Sequence, residues 1–178
     1  MSDDFLEKLI SRLQPNAIQR CLMRAGLFLT GYELLKSEIQ GKVKALFVFP
    51  SSGSEAEDIR DYEAKVLILD KSEFRACCMW LLQAGAISDA QLQAIYDIRD
   101  LRNKIAHELP SFIIDQSYEI PRGVLENMEL ILSLLGQFWG RIEIDTNPDF
   151  DSQIIHDQDI HSGPSMLMGL VINACAEL

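Results

Sequence analysis

Ser88-Asp89-Ala90-Gln91-Leu92-Gln93-Ala94-Ile95-Tyr96-Asp97-Ile98-Arg99-Asp100-Leu101-Arg102-Asn103-Lys104-Ile105-Ala106-His107-Glu108-Leu109-Pro110 is the stretch whose reading decides the fold. It opens on a capping box, a Ser with a Gln three residues on, each able to satisfy the other's exposed backbone donor. It closes on Pro110, which has no amide proton and disfavours a helical residue before it, so the spacing predicts a helix that stops there. Between these signals Leu92, Ile95, Ile98, Leu101, Ile105 and Leu109 recur at steps of three and four and build one apolar stripe. At about 100° per residue, Tyr96, Arg99, Asn103 and His107 fall on an adjoining polar stripe. Arg102 stands at the border, roughly 140° from His107 by the same arithmetic. To meet an imidazole, its guanidinium must reach over Asn103 or find a His of another subunit.

The flanks repeat the helical rhythm. Phe5, Leu6, Leu9, Ile10 and Leu13 predict a short amphipathic helix over 4–13, broken at Pro15-Asn16. A long helix over 17–47 follows, with Ile18, Cys21, Leu22, Ala25, Leu29, Leu34, Leu35 and Ile39 on a broad apolar face, and Gly41 as a point of bending or division. Residues 50–54 read as a loop, 55–69 as a charged helix, and 72–84 as a further helix stopped by Gly85. Beyond Pro110, residues 111–120 read as irregular or briefly extended, and 122–139 as the last strong helix. From Ile142 to Gly163 aspartates alternate with Thr, Asn, Pro, Gln and Ser, and the period is lost. Residues 165–176 regain apolar content as a short helix that docks on the bundle or on a second subunit. The expected architecture is all-α: an up-and-down helical bundle over 1–141, then a partly irregular acidic C-terminal extension over 142–178.

Composition narrows the classes. With 178 residues, 48% of them hydrophobic, the chain can bury the core of one domain. No apolar run is long enough to span a bilayer, and Ser2-Asp3-Asp4 has the wrong charge for a secretory leader, so a cytoplasmic protein without membrane association is expected. Cys21, Cys77, Cys78 and Cys175 lack metal-ligand spacing and read as structural thiols; neither metal nor cofactor is expected. The formal charge of −11 is unevenly placed: residues 15–49 hold five basic groups against two acidic, whereas 108–178 sum to −10. Such a field counts against a non-specific binder of polyanions but leaves room for a small basic cleft.

The chemistry offered lies in Arg102 and His107. An RNA strand carries its own nucleophile in the 2′-hydroxyl, so its cleavage needs a proton acceptor, a proton donor and stabilisation of a charged phosphorane. Histidine serves as acceptor or donor near neutral pH. Arginine stays cationic and can fork onto two phosphate oxygens. The plain alternative is an arginine paired with Asp97 or Glu108, and a helix-end histidine favoured by the dipole.

Arg102-Asn103-Lys104-Ile105-Ala106-His107, within Asp100-Leu101-Arg102-Asn103-Lys104-Ile105-Ala106-His107, resembles the Arg, four to six residues, His signature of the HEPN superfamily. That resemblance implies a helical bundle that dimerises to gather two copies of the motif in one cleft, and a metal-independent endoribonuclease used as a toxin or in defence. It implies that Arg102 holds the scissile phosphate, that His107 exchanges the proton, and that Asn103 orients one of the two. Arg99 and Tyr96 are candidate substrate-binding residues beside them. One HEPN subgroup has a Tyr two residues after the His that a partner enzyme modifies; this chain has Leu109 there. The implied partners are a second copy of the chain, RNA as substrate, and an antitoxin or other protein. A fainter resemblance, from Gly31-Tyr32-Glu33-Leu34-Leu35 through Leu81-Leu82-Gln83-Ala84-Gly85-Ala86-Ile87, is to the mannitol operon repressor family, and implies instead a non-catalytic regulator or interaction module.

Overall fold

Pro15 begins the first long helix at the one position where a missing amide proton costs nothing. A computed structural model describes residues 7, 10–48, 55–115, 120–151 and 153–176. Helix α1 spans Pro15–Lys36 and passes through a π-turn, Ser37–Gly41, into α2, Lys42–Phe47. There follow α3, Glu55–Lys65; α4, Glu73–Gln83; α5, Asp89–Ile114; α6, Arg122–Thr146; and α7, Gly163–Ala176. No strand occurs among the described residues, and the fold is all-α as the periodicity requires. No described helix is long and apolar enough to cross a membrane. The expected loop at 50–54 and half of the expected helix at 4–13 lie outside the described residues.

Three elements differ from expectation, each for a physical reason. The long first helix is divided at Gly41, as expected, but through a π-turn and not a break, and that turn places Ile39 in the core with no exposure. The same turn buries Glu38, and burial raises its carboxyl above the ordinary glutamate range, with Lys42 opposing. Helix α5 does not stop at Pro110. The deviation falls at Glu108 (φ −119°, ψ 24°), after which the chain re-enters the helix as far as Ile114. Phe112, 4% exposed, drives the continuation by joining the core, and its carbonyl accepts a hydrogen bond from Cys21 Sγ at 3.3 Å. Burial here outweighs the proline's local preference. At the other end of α5 the capping box forms in both directions: Ser88 N donates to Gln91 Oε1 at 2.7 Å and Gln91 N donates to Ser88 Oγ at 3.4 Å.

The third difference concerns the acidic extension. Helix α6 continues to Thr146, past the point where the periodicity fades. Its Gly136 and Gly140, one turn apart, leave a furrow that the returning chain fills. A Cβ on Gly136 would lie 2.6 Å from Ser162 Cβ, and one on Gly140 would lie 2.5 Å from Ile160 Cγ2. Arg141 secures the strap by donating to the Ile155 carbonyl at 2.9 Å and pairing with Asp157. The chain then enters α7, which packs on α6 and α1 and sinks Met168 into the core. Gly31 of α1 makes room for it: a Cβ there would meet Met168 Sδ at 2.8 Å. The core also holds Phe28, Leu35, Leu81, Ile95, Ile105, Met128, Leu132 and Leu135, all fully buried, with Trp80 stacked on Trp139 at its edge.

Candidate active site

Helix α5 crosses α1 so that Arg102 reaches the opposite helix. The guanidinium lies 5.4 Å over the ring of Tyr32, a cation–π distance. Its Nη2 is 3.5 Å from Glu33 Oε1, and its Nη1 donates to Asn103 Oδ1 at 3.3 Å. Nε is buried without a hydrogen-bond partner. The carboxylate beside Arg102 therefore comes from α1; Asp97 instead accepts from Gln93 Nε2 at 2.8 Å. Tyr32 is buried, and burial raises its phenol, with the charges of Arg102 and Arg99 opposing.

The other candidates join the same face by ring contacts. Arg99 lies over Phe74 at 5.8 Å, and Phe74 meets Tyr32 at 6.3 Å. Arg75 covers Tyr96 at 4.7 Å. Two touching rings, Tyr32 and Phe74, are thus capped by a cation at each end across α1, α4 and α5, Arg102 on Tyr32 and Arg99 on Phe74. The period of α5 brings out Arg99 and Arg102 from sequence; it cannot bring out Tyr32, Glu33, Phe74 or Arg75, which stand on other helices. Tyr32-Glu33 is visible as a polar pair inside a greasy helix, but not its partner. A solvated Glu33 is the simple expectation, and the structure gives it both Arg102 and, at 3.8 Å, Lys36.

His107 stands apart. It is exposed, one residue before the distortion at Glu108. On the helical wheel it lies about 160° from Ile105 and about 180° from Ile98, so it faces away from the buried stripe. Pro110, with no amide proton, leaves the Ala106 carbonyl beside it without its intrahelical donor. Within one protomer, Arg102 and His107 do not converge, and neither lines any of the five recesses mapped on the described residues. Asn103 touches Arg102 and not the imidazole.

Among the described residues no group of three or more His, Cys, Asp or Glu is placed to hold a metal ion. His156 is exposed, and its backbone amide donates to Asp159 Oδ2 at 3.3 Å within a 3₁₀ turn. Cys77 and Cys78 are fully buried, and burial pushes the Cys78 thiol up to about 12. No family model, curated protein or solved structure matches the chain.

Proposed function

We propose that the chain is a metal-independent endoribonuclease of HEPN type, acting in the cytoplasm as a homodimer in a toxin or defence role, with an antitoxin or similar protein as its restraint. The observation that carries the reading is the state of Arg102. A guanidinium has five N–H donors in a fixed fork. Here contacts at 3.3 and 3.5 Å engage two of its nitrogens, and the buried third has none. A half-buried cation so weakly engaged, held on an aromatic face, is suited to accept a phosphate. His107 is open to solvent one residue before a helix distortion, where a substrate or a second copy of the chain can reach it.

A two-fold axis across the α5 faces would supply what one protomer separates. Two imidazoles then serve as one base and one acid. The base takes the 2′-hydroxyl proton as that oxygen attacks the adjacent phosphorus, and the P–O5′ bond breaks. The acid returns a proton to the leaving 5′-oxygen, and a 2′,3′-cyclic phosphate remains. Arg102 stabilises the charge on the non-bridging oxygens, with Asn103 orienting it and Arg99 and Tyr96 at the flank.

Incubating the full chain with labelled RNA in EDTA tests the reading. Cleavage to a cyclic phosphate is expected, lowered about 100-fold or more by His107→Ala and by Arg102→Ala. Equal cutting by wild type and His107→Ala, or loss of cutting in EDTA, overturns it.

A second reading has its own observation. Glu33 already offers Arg102 a carboxylate, and neither motif residue lines a mapped recess. On that reading Arg102 braces α1 against α5 in a non-catalytic module, a regulator like the mannitol operon repressors or a domain that binds RNA or protein uncut. RNA retained intact by the wild-type chain, with Arg102→Ala lowering only its stability, favours this module.

A further inference from the structure

In a chain of charge −11, Arg12, Arg20 and Arg24 converge on one recess of about 220 Å³ where the start of α1 meets the end of α5. Arg20 and Arg24 are exposed and Arg12 is half-buried. Among the described residues none of the three has a carboxylate within ion-pair distance. The floor is apolar: Ala17, Phe112, Ile113 and Ile120. Arg24 and Ile120 also line a second recess of about 260 Å³, walled by Leu125, Ile172, Cys175 and Ala176. Either recess alone is below the ~300 Å³ at which small-molecule sites begin; they adjoin at these shared residues, and a ligand that spans both has more than that volume. The charges of Arg12 and Arg24 reach the Cys21 thiol in the first wall, and that of Arg24 reaches Cys175 in the second. Arg24 therefore stands at the junction, and the mouth of the first recess is cationic.

We propose that the two adjoining recesses together bind an amphiphilic carboxylate, its head group on Arg12, Arg20 and Arg24 and its linear acyl chain laid along Ile120, Leu125 and Ile172. Guanidinium forks match a carboxylate in two parallel hydrogen bonds, and its charge offsets three like charges that no described carboxylate pairs. The apolar continuation selects a chain over a small inorganic anion, which could use only the mouth. Among the described residues the one aromatic ring in the wall, Phe112, is only 4% exposed and offers no accessible stacking platform for a strand. The site is separate from Arg102: Cys21 and Glu33 are twelve residues apart on α1, about 18 Å along the helix.

Calorimetric titration of the full chain with monomeric decanoate, below its micellar concentration, tests the site. Decanoate and decyl phosphate are expected to bind, decanol and decyltrimethylammonium at least about tenfold more weakly, and butyrate weaker by roughly fourfold per methylene removed. Arg20→Gln with Arg24→Gln, at exposed positions that leave the thermal transition in place, should cost decanoate about tenfold or more. Ala176→Trp, at the open end of the second recess, should weaken decanoate while sparing butyrate. Affinity independent of chain length, indifference to the arginine pair, or binding to phosphatidylglycerol vesicles but not to free decanoate overturns the proposal. An RNA oligomer that displaces decanoate in proportion to its phosphates would assign the arginines to nucleic acid and overturn it as well.

Discussion

Arg102 of α5 and Glu33 of α1 are 3.5 Å apart, so the cation proposed to meet a phosphate also clasps two helices. The two roles respond differently to substitution. Glu33→Gln removes the competing carboxylate and keeps the brace almost intact, because a half-exposed ion pair of this kind contributes only about 0–1 kcal/mol. RNA binding should rise about twofold to tenfold at low salt in Glu33→Gln and fall in Arg102→Ala, as read by filter binding. A fall in both variants would mean that the pair, and not the free guanidinium, matters.

The furrow on α6 makes a second expectation. Gly136→Ala puts a methyl group where Ser162 Cβ lies, and Gly140→Ala puts one into Ile160. Overpacking of this kind costs about 1–3 kcal/mol. Each variant should therefore lower the thermal midpoint, and limited proteolysis should cut within 153–162 before it cuts the bundle. Gly26→Ala, with nothing within 4 Å of the new methyl, is the control and should be neutral or slightly stabilising.

The acidic extension and α7 should separate sharply. Met168 is fully buried, and Met168→Ala is expected to cost about 2–5 kcal/mol by chemical denaturation. Ile154, 88% exposed on the strap, should change stability by less than about 0.5 kcal/mol when replaced by Ser. Equal effects at the two positions would contradict the packing of α7.

Glu38 sets a pH dependence. Its carboxyl is raised by burial, with Lys42 opposing; Glu143, Asp159 and His161 line the same recess. A carboxyl raised in the folded state contributes stability that is complete below the unfolded glutamate value and is lost as pH rises through the folded one. Glu38→Gln should thus stabilise the chain at pH 7 by on the order of 1 kcal/mol, or about 2–4 °C, and the difference should shrink towards pH 4. A midpoint difference that grows on acidification would reverse the sign and refute the assignment.

The thiols follow from the same burial. All four are raised, Cys78 to about 12. Iodoacetamide at pH 8 should modify the half-buried Cys21 and Cys175 slowly, and Cys77 and Cys78 only with global unfolding, as read by mass spectrometry.

Local chemistry made much of this legible in the sequence. The Ser88–Gln91 box, the Gly85 stop (φ 75°) and the apolar stripe of α5 depend on residues within one turn of each other, and all appear as read. What stayed hidden depends on partners distant in sequence. Pro110 looks like an end until Phe112 is seen in the core. The fading period after Ile142 looks like a linker until Gly136 and Gly140 are seen to hold it. The Arg102 environment needed α1 and α4, and the Arg12, Arg20 and Arg24 cluster needed the fold to carry α1 beside the end of α5. Charge balance over 15–49 hinted at that basic end without showing where its side chains gather.

The π-turn at Ser37–Gly41 bears on how the chain tolerates a change in length. Its i→i+5 bonds enclose one more residue than an α-turn does. Deleting one residue between 37 and 41 would close that loop into regular helix and leave every later side chain of α2 close to its present angle. Val43, now fully buried, would stay in the core, whereas the same deletion in the regular turns of α1 would swing it out by about 100° and bring an exposed neighbour such as Lys44 towards it. This one turn acts as a phase adjuster, keeping two helical segments in angular register on a single core.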